Sequence, residues 1–181
     1  AGTVTLLGMD DLEGEKEIKQ DVGVVLDECF FHDSLRAKDV GVILAPVYRG
    51  WDEELYRRYL KKYKLPEKKF IKEYSRGMKM KLALAAALAH RPRLLILDEA
   101  TAYIDPENEA VIQQAVAKLV AHKTVIVIAH RLSTITDADN IVVVHDGRIE
   151  AQGTHEALLE DCALYHEMWQ AHMGAKDGDA A

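Results

Sequence analysis

Apolar residues along this chain fall into short, nearly unbroken runs and into longer stretches with helical spacing. The short runs are Val22 to Leu26, Leu94 to Leu97 and Thr124 to Ile128. A run of this length and composition is typical of a strand buried on both faces, as in a parallel sheet covered by helices. The pattern therefore predicts an α/β protein with a mostly parallel sheet as its core, and residues 3 to 7 as an edge strand.

Residues 34 to 73 have helical spacing, with breaks predicted near Arg49 and Gly50 and at Pro66. An apolar stripe recurs at every fourth residue and is formed by Trp51, Leu55, Tyr59 and Tyr63. The basic residues that fall largely around it are Arg57, Arg58, Lys61, Lys62 and Lys64. Aromatic residues interleaved with lysine and arginine could stack on RNA bases. The shared helical face of these aromatics instead favours a stripe that faces the core, with the basic residues around it in solvent.

The last part of the chain predicts a hairpin followed by a helix. Residues 141 to 144 and 148 to 151 flank Asp146 and Gly147, a pair suited to a two-residue type of hairpin turn. A helix is expected over Tyr165 to Trp169, and the tail from Gly174 is expected to be frayed.

Composition and net charge indicate the class of protein. The 181 residues include 23 lysines and arginines against 30 acidic residues, for a formal net charge of −7. This balance argues for a soluble protein and against a general nucleic-acid binder. The charge is uneven, because residues 56 to 81 contain 11 basic residues and only Glu67 and Glu73 as acids. The remainder of the chain is therefore strongly acidic.

Cysteine usage and hydropathy bear on location. Cys29 and Cys162 lie far apart without metal-ligand spacing, which favours reduced thiols in a cytosolic protein. No apolar run approaches the roughly 20 residues that cross a bilayer, and the N-terminus has no signal-peptide pattern. A cytoplasmic protein is therefore expected, with any link to a membrane made through a partner.

The run from Leu94 to Leu97 leads directly into two carboxylates, Asp98 and Glu99. Open α/β sheets bind ligands at the carboxyl ends of their strands, and one carboxylate can hold Mg²⁺ through its water shell. The neighbouring acid points to the other side of the strand and could polarise an attacking water in phosphoryl transfer. The alternative is a strand that ends in two solvated acids.

Further positions could contact a nucleotide or its metal. Ser75 is a good N-cap for a helix that extends to about His90, Gly77 permits close backbone approach, and a helix N-terminus binds anions. The alternative is an ordinary capped helix. Asp27 could ligate Mg²⁺ or be a turn residue. His130 could donate a hydrogen bond to a γ-phosphate or be structural.

Together these elements resemble the ATP-binding cassette (ABC) transporter family, from about Gly2 to about Ala171. The similar segments are Tyr74 to Met78, like the signature loop; Leu94 to Glu99, like the Walker B strand; Ala102 to Asp105, like the D-loop; and Ala129 to Ile135, like the switch region. The resemblance implies a P-loop NTPase-like α/β fold with a helical subdomain. It also implies ATP and Mg²⁺ as cofactors, and hydrolysis that powers export.

The resemblance implies a role for each matching residue. Glu99 and His130 would be catalytic, and Asp98 and Asp27 would contact the metal. The nucleotide-binding residues would be Ser75, Arg76, Gly77 and Asp105. In the family, two cassettes sandwich two ATP molecules, so the implied partners are a second cassette, in a homo- or heterodimer, and a transmembrane subunit. Nucleic acid is not an implied partner, and the transmembrane subunit would hold the chain at the cytoplasmic side of a membrane.

Several positions depart from the family pattern. Asp27 stands where the family has its Q-loop glutamine, so a metal ligand is kept while the amide donor is lost. The signature is usually Leu-Ser-Gly-Gly-Gln, and here Arg76 replaces a flexible glycine and Met78 the glutamine. The D-loop, usually Ser-Ala-Leu-Asp, keeps only its terminal acid, Asp105.

No Gly-Lys dipeptide occurs, so a Walker A phosphate loop is absent from the sequence. The chain is therefore expected to be a cassette truncated at its N-terminus and inactive by itself. Residues before Leu94 resemble two-component, ABC-2-like exporters, whereas residues after Thr101 resemble exporters fused to their membrane domain. This mixture predicts a recombined or engineered chain, and the alternative is a natural subfamily with mixed motifs.

Four parts are predicted: residues 1–30 as partial core, 31–90 as helical subdomain with the signature motif, 91–173 as α/β core, and 174–181 as a flexible tail. The expected function is the ATP-hydrolysing subunit of an ABC exporter. Two alternatives stay open. A non-catalytic structural or interaction fragment is favoured by the missing phosphate loop, and a soluble cassette ATPase that acts on nucleic acid is favoured only by the basic stretch.

Overall fold

The computed structural model describes residues 5–8, 16–26, 29–99 and 123–178. The chain divides into two compact units, Ala1–Ile128 and Ala129–Ala181. No helix in the described ranges is both long and apolar enough to cross a membrane. The division into four parts that the sequence suggests stays a prediction.

The first unit is built on a three-stranded sheet. Its strands, in spatial order, are β1 (Val22–Val25), β2 (Leu94–Glu99) and β3 (Thr124–Ala129). β1 and β2 run parallel, in a register that pairs Val22 with Leu94 and Val25 with Leu97. The predicted α/β class with a parallel sheet is confirmed.

Four helices accompany this sheet in the described ranges. They are α1 (Lys16–Gln20), α2 (Ala37–Leu44), α3 (Glu53–Lys62) and α4 (Arg76–Ala89), and a 3₁₀ turn at Ile71–Glu73 precedes α4. Both predicted breaks are present, because Gly50 lies between α2 and α3, and Pro66 lies between α3 and the 3₁₀ turn.

Two glycines let these elements pack closely. A Cβ atom at Gly23 of β1 would lie 3.0 Å from the Ala87 carbonyl oxygen of α4 and 3.0 Å from Leu95 Cδ1 of β2. A Cβ atom at Gly41 of α2 would lie 2.9 Å from Tyr56 Cε1 of α3. Any larger residue would therefore push α4 away from the sheet, or α2 away from α3.

The aromatic stripe of α3 differs in part from its prediction. Tyr59 and Tyr63 are buried as expected, whereas Leu55 is only half-buried. Tyr56 is instead fully buried, at 1 % exposure, and its hydroxyl donates a hydrogen bond to the Ala37 carbonyl oxygen at 2.7 Å. A spacing of four drifts around a helix with 3.6 residues per turn, so the start of the stripe leaves the buried face.

β3 was expected to be buried, and this expectation is wrong. Ile126, Val127 and Ile128 are 47 %, 39 % and 50 % exposed. β3 is the outermost strand of the described sheet. Strand side chains point to the two faces of the sheet, so their burial depends on what packs on those faces, which an apolar run does not specify. The edge strand expected at residues 3 to 7 is also not formed in its described part, where Leu6 makes an isolated bridge and Leu7 begins a turn.

The second unit contains the predicted hairpin. β4 (Ile141–His145) and β5 (Arg148–Gly153) pair antiparallel. Asp146 and Gly147 connect them with φ angles of 48° and 74°, which is the left-handed backbone that a tight hairpin turn requires. The hairpin prediction is confirmed.

Two helices, α5 (His155–Asp161) and α6 (Ala163–Gly178), follow the hairpin, and a 3₁₀ turn at Leu132–Thr134 precedes it. The core of this unit consists of Ile141, Val143, Leu158, Cys162 and Tyr165. The backbone of α6 continues past the predicted start of the tail at Gly174 and ends at Gly178.

Candidate functional site

Asp98 lies at the carboxyl edge of the parallel strands. The register pairs Val25 with Leu97, so Leu26 and Asp98 follow at the same edge of the sheet. Leu94, Leu95 and Leu97 are 2 %, 0 % and 8 % exposed, which confirms that the end of the strand is anchored in the core. This burial fixes the position of Asp98, which is itself half-buried.

Asp98 is the one predicted metal contact whose side chain lies within the described ranges. No group of three or more histidine, cysteine, aspartate or glutamate residues in the described ranges could hold a metal ion. A preformed protein cage is what a structural zinc site needs. Mg²⁺ instead keeps several waters and is held by one or two carboxylates together with substrate phosphates. Asp98 is thus one carboxylate at a sheet edge that could contact Mg²⁺, and this contact stays a prediction.

Some predicted site residues lie outside the described part of the chain. They are Asp27 and Asp105, and for Glu99 only the backbone at the end of β2 is described. Their assignment rests on the sequence motifs, and their roles stay predictions.

The N-terminus of α4 has the geometry of an anion site. Ser75 has the extended backbone of an N-cap, and its side-chain oxygen accepts a hydrogen bond from the Met78 amide at 3.3 Å. Ser75 and Arg76 are exposed, and Gly77 is half-buried. The first amides of a helix have no acceptor within the helix, so this exposed terminus presents donors and a positive dipole end to solvent. The predicted cap is present, and its contact with a phosphate stays a prediction.

The segment that leads into α4 is fixed by buried contacts. Tyr74 is 6 % exposed, and its hydroxyl donates a hydrogen bond to the Pro66 carbonyl oxygen at 2.8 Å. Burial raises the pKa of this hydroxyl, so it remains a donor. The Ile71 amide donates to the Leu35 carbonyl oxygen at 2.8 Å. These contacts hold the segment before α4 against the loops that precede α2 and follow α3.

An ion pair that the sequence did not reveal also joins this region to the segment after β1. The Lys79 ammonium group lies 2.8 Å from the Asp33 carboxylate, 46 residues away in the chain. This hydrogen bond lowers the pKa of Asp33 below the ordinary carboxyl range. No local pattern signals such a pair, because its members come from different elements.

His130 belongs to the second unit, where it follows β3 and is exposed. The next residues form the 3₁₀ turn Leu132–Thr134, in which the Thr134 hydroxyl donates a hydrogen bond to the Arg131 carbonyl oxygen at 2.8 Å. This turn fixes the chain direction after His130. A hydrogen bond from the histidine to a phosphate stays a prediction.

Both cysteines are free thiols, as the sequence suggested. Cys29 is half-buried, and burial raises the pKa of its thiol. Cys162 is buried in the core of the second unit. A protonated or buried thiol is a poor nucleophile, so neither residue adds to the candidate site.

Comparisons with known proteins agree with this geometry. The family model described as "ABC transporter" matches residues 1–102. The ABC transporter ATP-binding protein exp8 of Streptococcus pneumoniae is 36% identical over 180 residues, which cover 92% of this chain and 31% of that protein. The mycobactin import ATP-binding/permease protein IrtA of Mycolicibacterium smegmatis is 51% identical over 96 residues, which cover 53% of this chain and 11% of that protein.

A solved structure gives the same result. The structure of a bacterial Atm1-family ABC exporter with ATP bound is similar, with a TM-score of 0.77 and 30% sequence identity, over 94% of this chain and 32% of that chain. The present chain thus spans less than a third of each of these three proteins. With a family match over more than half of its residues, this chain belongs to the ABC transporter family, as a nucleotide-binding domain.

Proposed function

We propose that this chain binds Mg-ATP and contributes to its hydrolysis as the cassette part of an ABC exporter. The observation that carries the proposal is the exposed N-terminus of α4, which Ser75 caps and which offers backbone donors to an anion. The carboxylate of Asp98, at the end of an anchored strand, would hold Mg²⁺ in the other half of a nucleotide site, because in the family the signature of one cassette faces the phosphate loop of the other.

The residues divide into two groups by what they would contact. Ser75 and the amide of Gly77 would donate hydrogen bonds to the γ-phosphate, and Arg76 would add a positive charge beside it. Asp98 would hold Mg²⁺ through its water shell, and Mg²⁺ when bound neutralises charge on the phosphate oxygens. Asp27 and Asp105 enter the proposal through their motifs alone, as a metal contact and a nucleotide contact.

Hydrolysis needs a base and a donor beside the phosphate. Glu99 would accept a proton from the water that attacks the γ-phosphorus, while the bond from that phosphorus to the β–γ bridging oxygen breaks and ADP leaves. His130 would donate a hydrogen bond to a γ-phosphate oxygen, where negative charge is stabilised during the transfer. These roles follow from the chemistry of phosphoryl transfer and from the positions of both residues at the ends of strands.

The proposed partners follow from the expectation that this chain supplies only half of each nucleotide site. The helix N-terminus at Ser75 and the carboxylate of Asp98 would each serve one half of a nucleotide site, and a second cassette would supply the other half of each site, in a homo- or heterodimer. A transmembrane subunit would convert closure of the two cassettes into transport and would hold the chain at the cytoplasmic side of a membrane. Export is supported by the similarity to the solved Atm1-family exporter, over 94% of the chain. The mixed origin of the two halves stays a prediction.

The test is ATP-dependent assembly with an intact ABC cassette that carries its own phosphate loop and a glutamate-to-glutamine block. We expect sedimentation to show a mixed dimer with Mg-ATP and separate chains without it. Ser75→Arg should abolish the mixed dimer, because the larger side chain would occupy the phosphate contact and the helix would lose its cap. Ser34→Arg, at another exposed serine of the first unit, is the matched control and should leave the dimer intact. Equal assembly by the two variants would contradict the proposal.

A further inference from the structure

An exposed basic surface covers one side of α3 and continues along the chain that follows it. We define this basic surface by eight side chains that are all exposed. They are Arg57, Arg58, Lys61, Lys62, Lys64, Lys68, Lys69 and Lys72. None of them belongs to the candidate nucleotide site.

The cationic face of α3 points away from the core. The buried side chains of this segment are Tyr56, Tyr59, Leu60 and Tyr63. At about 100° per residue, the four basic side chains of the helix lie roughly 180° around the axis from the buried ones. Packing against the core therefore leaves the whole basic side of the helix in solvent.

Acids close to this surface balance only part of its charge, and Arg58 is near enough to Asp52 to help lower the pKa of that carboxyl. Within the described ranges, Arg57 is the one member of the basic surface with an ion pair, to Glu53 at 2.9 Å. Residues 52 to 73, which include the basic surface, contain eight basic and five acidic residues, although the whole chain has a net charge of −7. The like charges repel each other in the isolated domain, so an anionic surface opposite them would be stabilising.

The aromatic residues beside the basic surface are not available to stack on nucleic-acid bases. Tyr59 and Tyr63 face the core. The Phe70 ring is half-buried, and it carries the Arg36 guanidinium at 4.6 Å and the Lys72 ammonium at 5.7 Å from its centroid. Single-stranded nucleic acid needs open aromatic platforms, so the basic surface lacks what that partner requires.

The partner must also bind through charge without apolar insertion. Among the described residues of the first unit, the large exposed apolar side chains lie outside residues 56 to 81, at Val24, Phe30, Val42, Ile43 and Val47 and in β3. A bilayer with anionic lipids presents repeated phosphate charges over a wide area and attracts clusters of basic residues. A transporter domain works beside such a bilayer. We propose that the basic surface binds the anionic phospholipid headgroups of that bilayer. This inference rests on membership of the ABC transporter family and does not require that the chain binds ATP.

The test is flotation of the 181-residue chain with lipid vesicles. We expect binding to vesicles of phosphatidylcholine mixed with phosphatidylglycerol, weaker binding as salt is raised, and little binding to phosphatidylcholine alone. Lys61→Gln with Lys62→Gln should weaken binding about fivefold for each lysine removed. Lys16→Gln with Lys19→Gln removes the same charge from exposed positions of α1 and should leave binding close to that of the parent.

A second variant guards against a folding defect in the first. Lys68→Gln with Lys69→Gln lies in the loop after α3, and it should lower binding to the same extent while thermal melts remain those of the parent. Equal losses in the α1 control would show a general charge effect and overturn the proposal. Binding to both vesicle types alike, or tighter binding to single-stranded RNA than to the anionic vesicles at one salt concentration, would overturn it as well.

Discussion

The ammonium group of Lys79 lies 2.8 Å from the carboxylate of Asp33, and this contact joins the first turns of α4 to the segment that follows β1. The side chains of Lys79 and Asp33 are 28 % and 61 % exposed, so dissolved ions can screen their attraction. The same helix begins at Ser75, the proposed phosphate contact. The position of that contact relative to the first strand of the sheet thus depends in part on this pair.

Asp33→Lys and Lys79→Asp should each lower the melting temperature of the domain, and the double variant should recover part of the loss. A double-mutant cycle from thermal melts measures the coupling, which should shrink as salt is raised. Since Lys79 lowers the pKa of Asp33, the stabilisation is present above the ordinary carboxyl pKa and is lost as pH falls through the lowered value. A double variant no more stable than the singles at low salt would contradict the coupling.

His90 should make the stability of the first unit depend on pH. Its ring is 4 % exposed, stacks on Tyr48 at 4.0 Å and lies 3.3 Å from the Val22 carbonyl oxygen. Burial lowers its pKa, so below about pH 6.5 the unfolded chain takes up a proton that the folded chain does not. Stability should therefore be full above that pH and fall below it.

His90→Gln should reduce this acid sensitivity, measured as the slope of unfolding free energy against pH. The exposed His166→Gln variant is the control and should keep the parent's slope. If both variants have the parent's slope, the acid sensitivity has another source.

Glu99→Gln should abolish ATP turnover while ATP binding is retained, in a longer chain that carries a phosphate-binding loop. The substitution keeps the size of the side chain but removes the charge and basicity that polarise the water. Phosphate release and nucleotide binding, measured on the same preparation, separate the two effects. Turnover equal to the parent's would refute the catalytic role of Glu99.

His130→Ala should slow turnover in the same longer chain, because a donor to the γ-phosphate is lost. His166→Ala, at an exposed histidine of α6, is a matched control that should leave the rate unchanged. If the two variants hydrolyse ATP at the parent's rate, His130 is only structural.

Tyr59→Ala should destabilise the first unit far more than reversal of the neighbouring lysines. The Tyr59 side chain is 8 % exposed, and removal of a buried ring costs on the order of 3 kcal/mol. Lys61→Glu with Lys62→Glu changes exposed charges at the end of α3 and should cost under about 1 kcal/mol. Denaturant melts that gave the opposite ranking would show that the ring faces solvent and the lysines are structural.

Several features of this protein followed from the sequence alone. The strand segments β1 and β2, the cap at Ser75 and the hairpin turn at Asp146 and Gly147 could all be predicted, because each depends on residues that are close in the chain. Apolar runs, a side chain that caps an amide three residues on, and a turn that needs left-handed backbone act over a few residues. The motifs for the candidate site were found for the same reason.

Other features were decided only by the tertiary structure. The sequence placed Leu55 in the buried stripe and missed Tyr56, because the buried face of α3 depends on where Gly41 of α2 lets a ring approach. It predicted that β3 would be buried, but burial of a strand depends on what packs on the two faces of the sheet. The pair of Asp33 and Lys79 could not be read from a local pattern, since packing brings together residues 46 positions apart. The sequence by itself determined the local elements and their chemistry, and the packing of those elements decided which side chains are buried, paired or exposed.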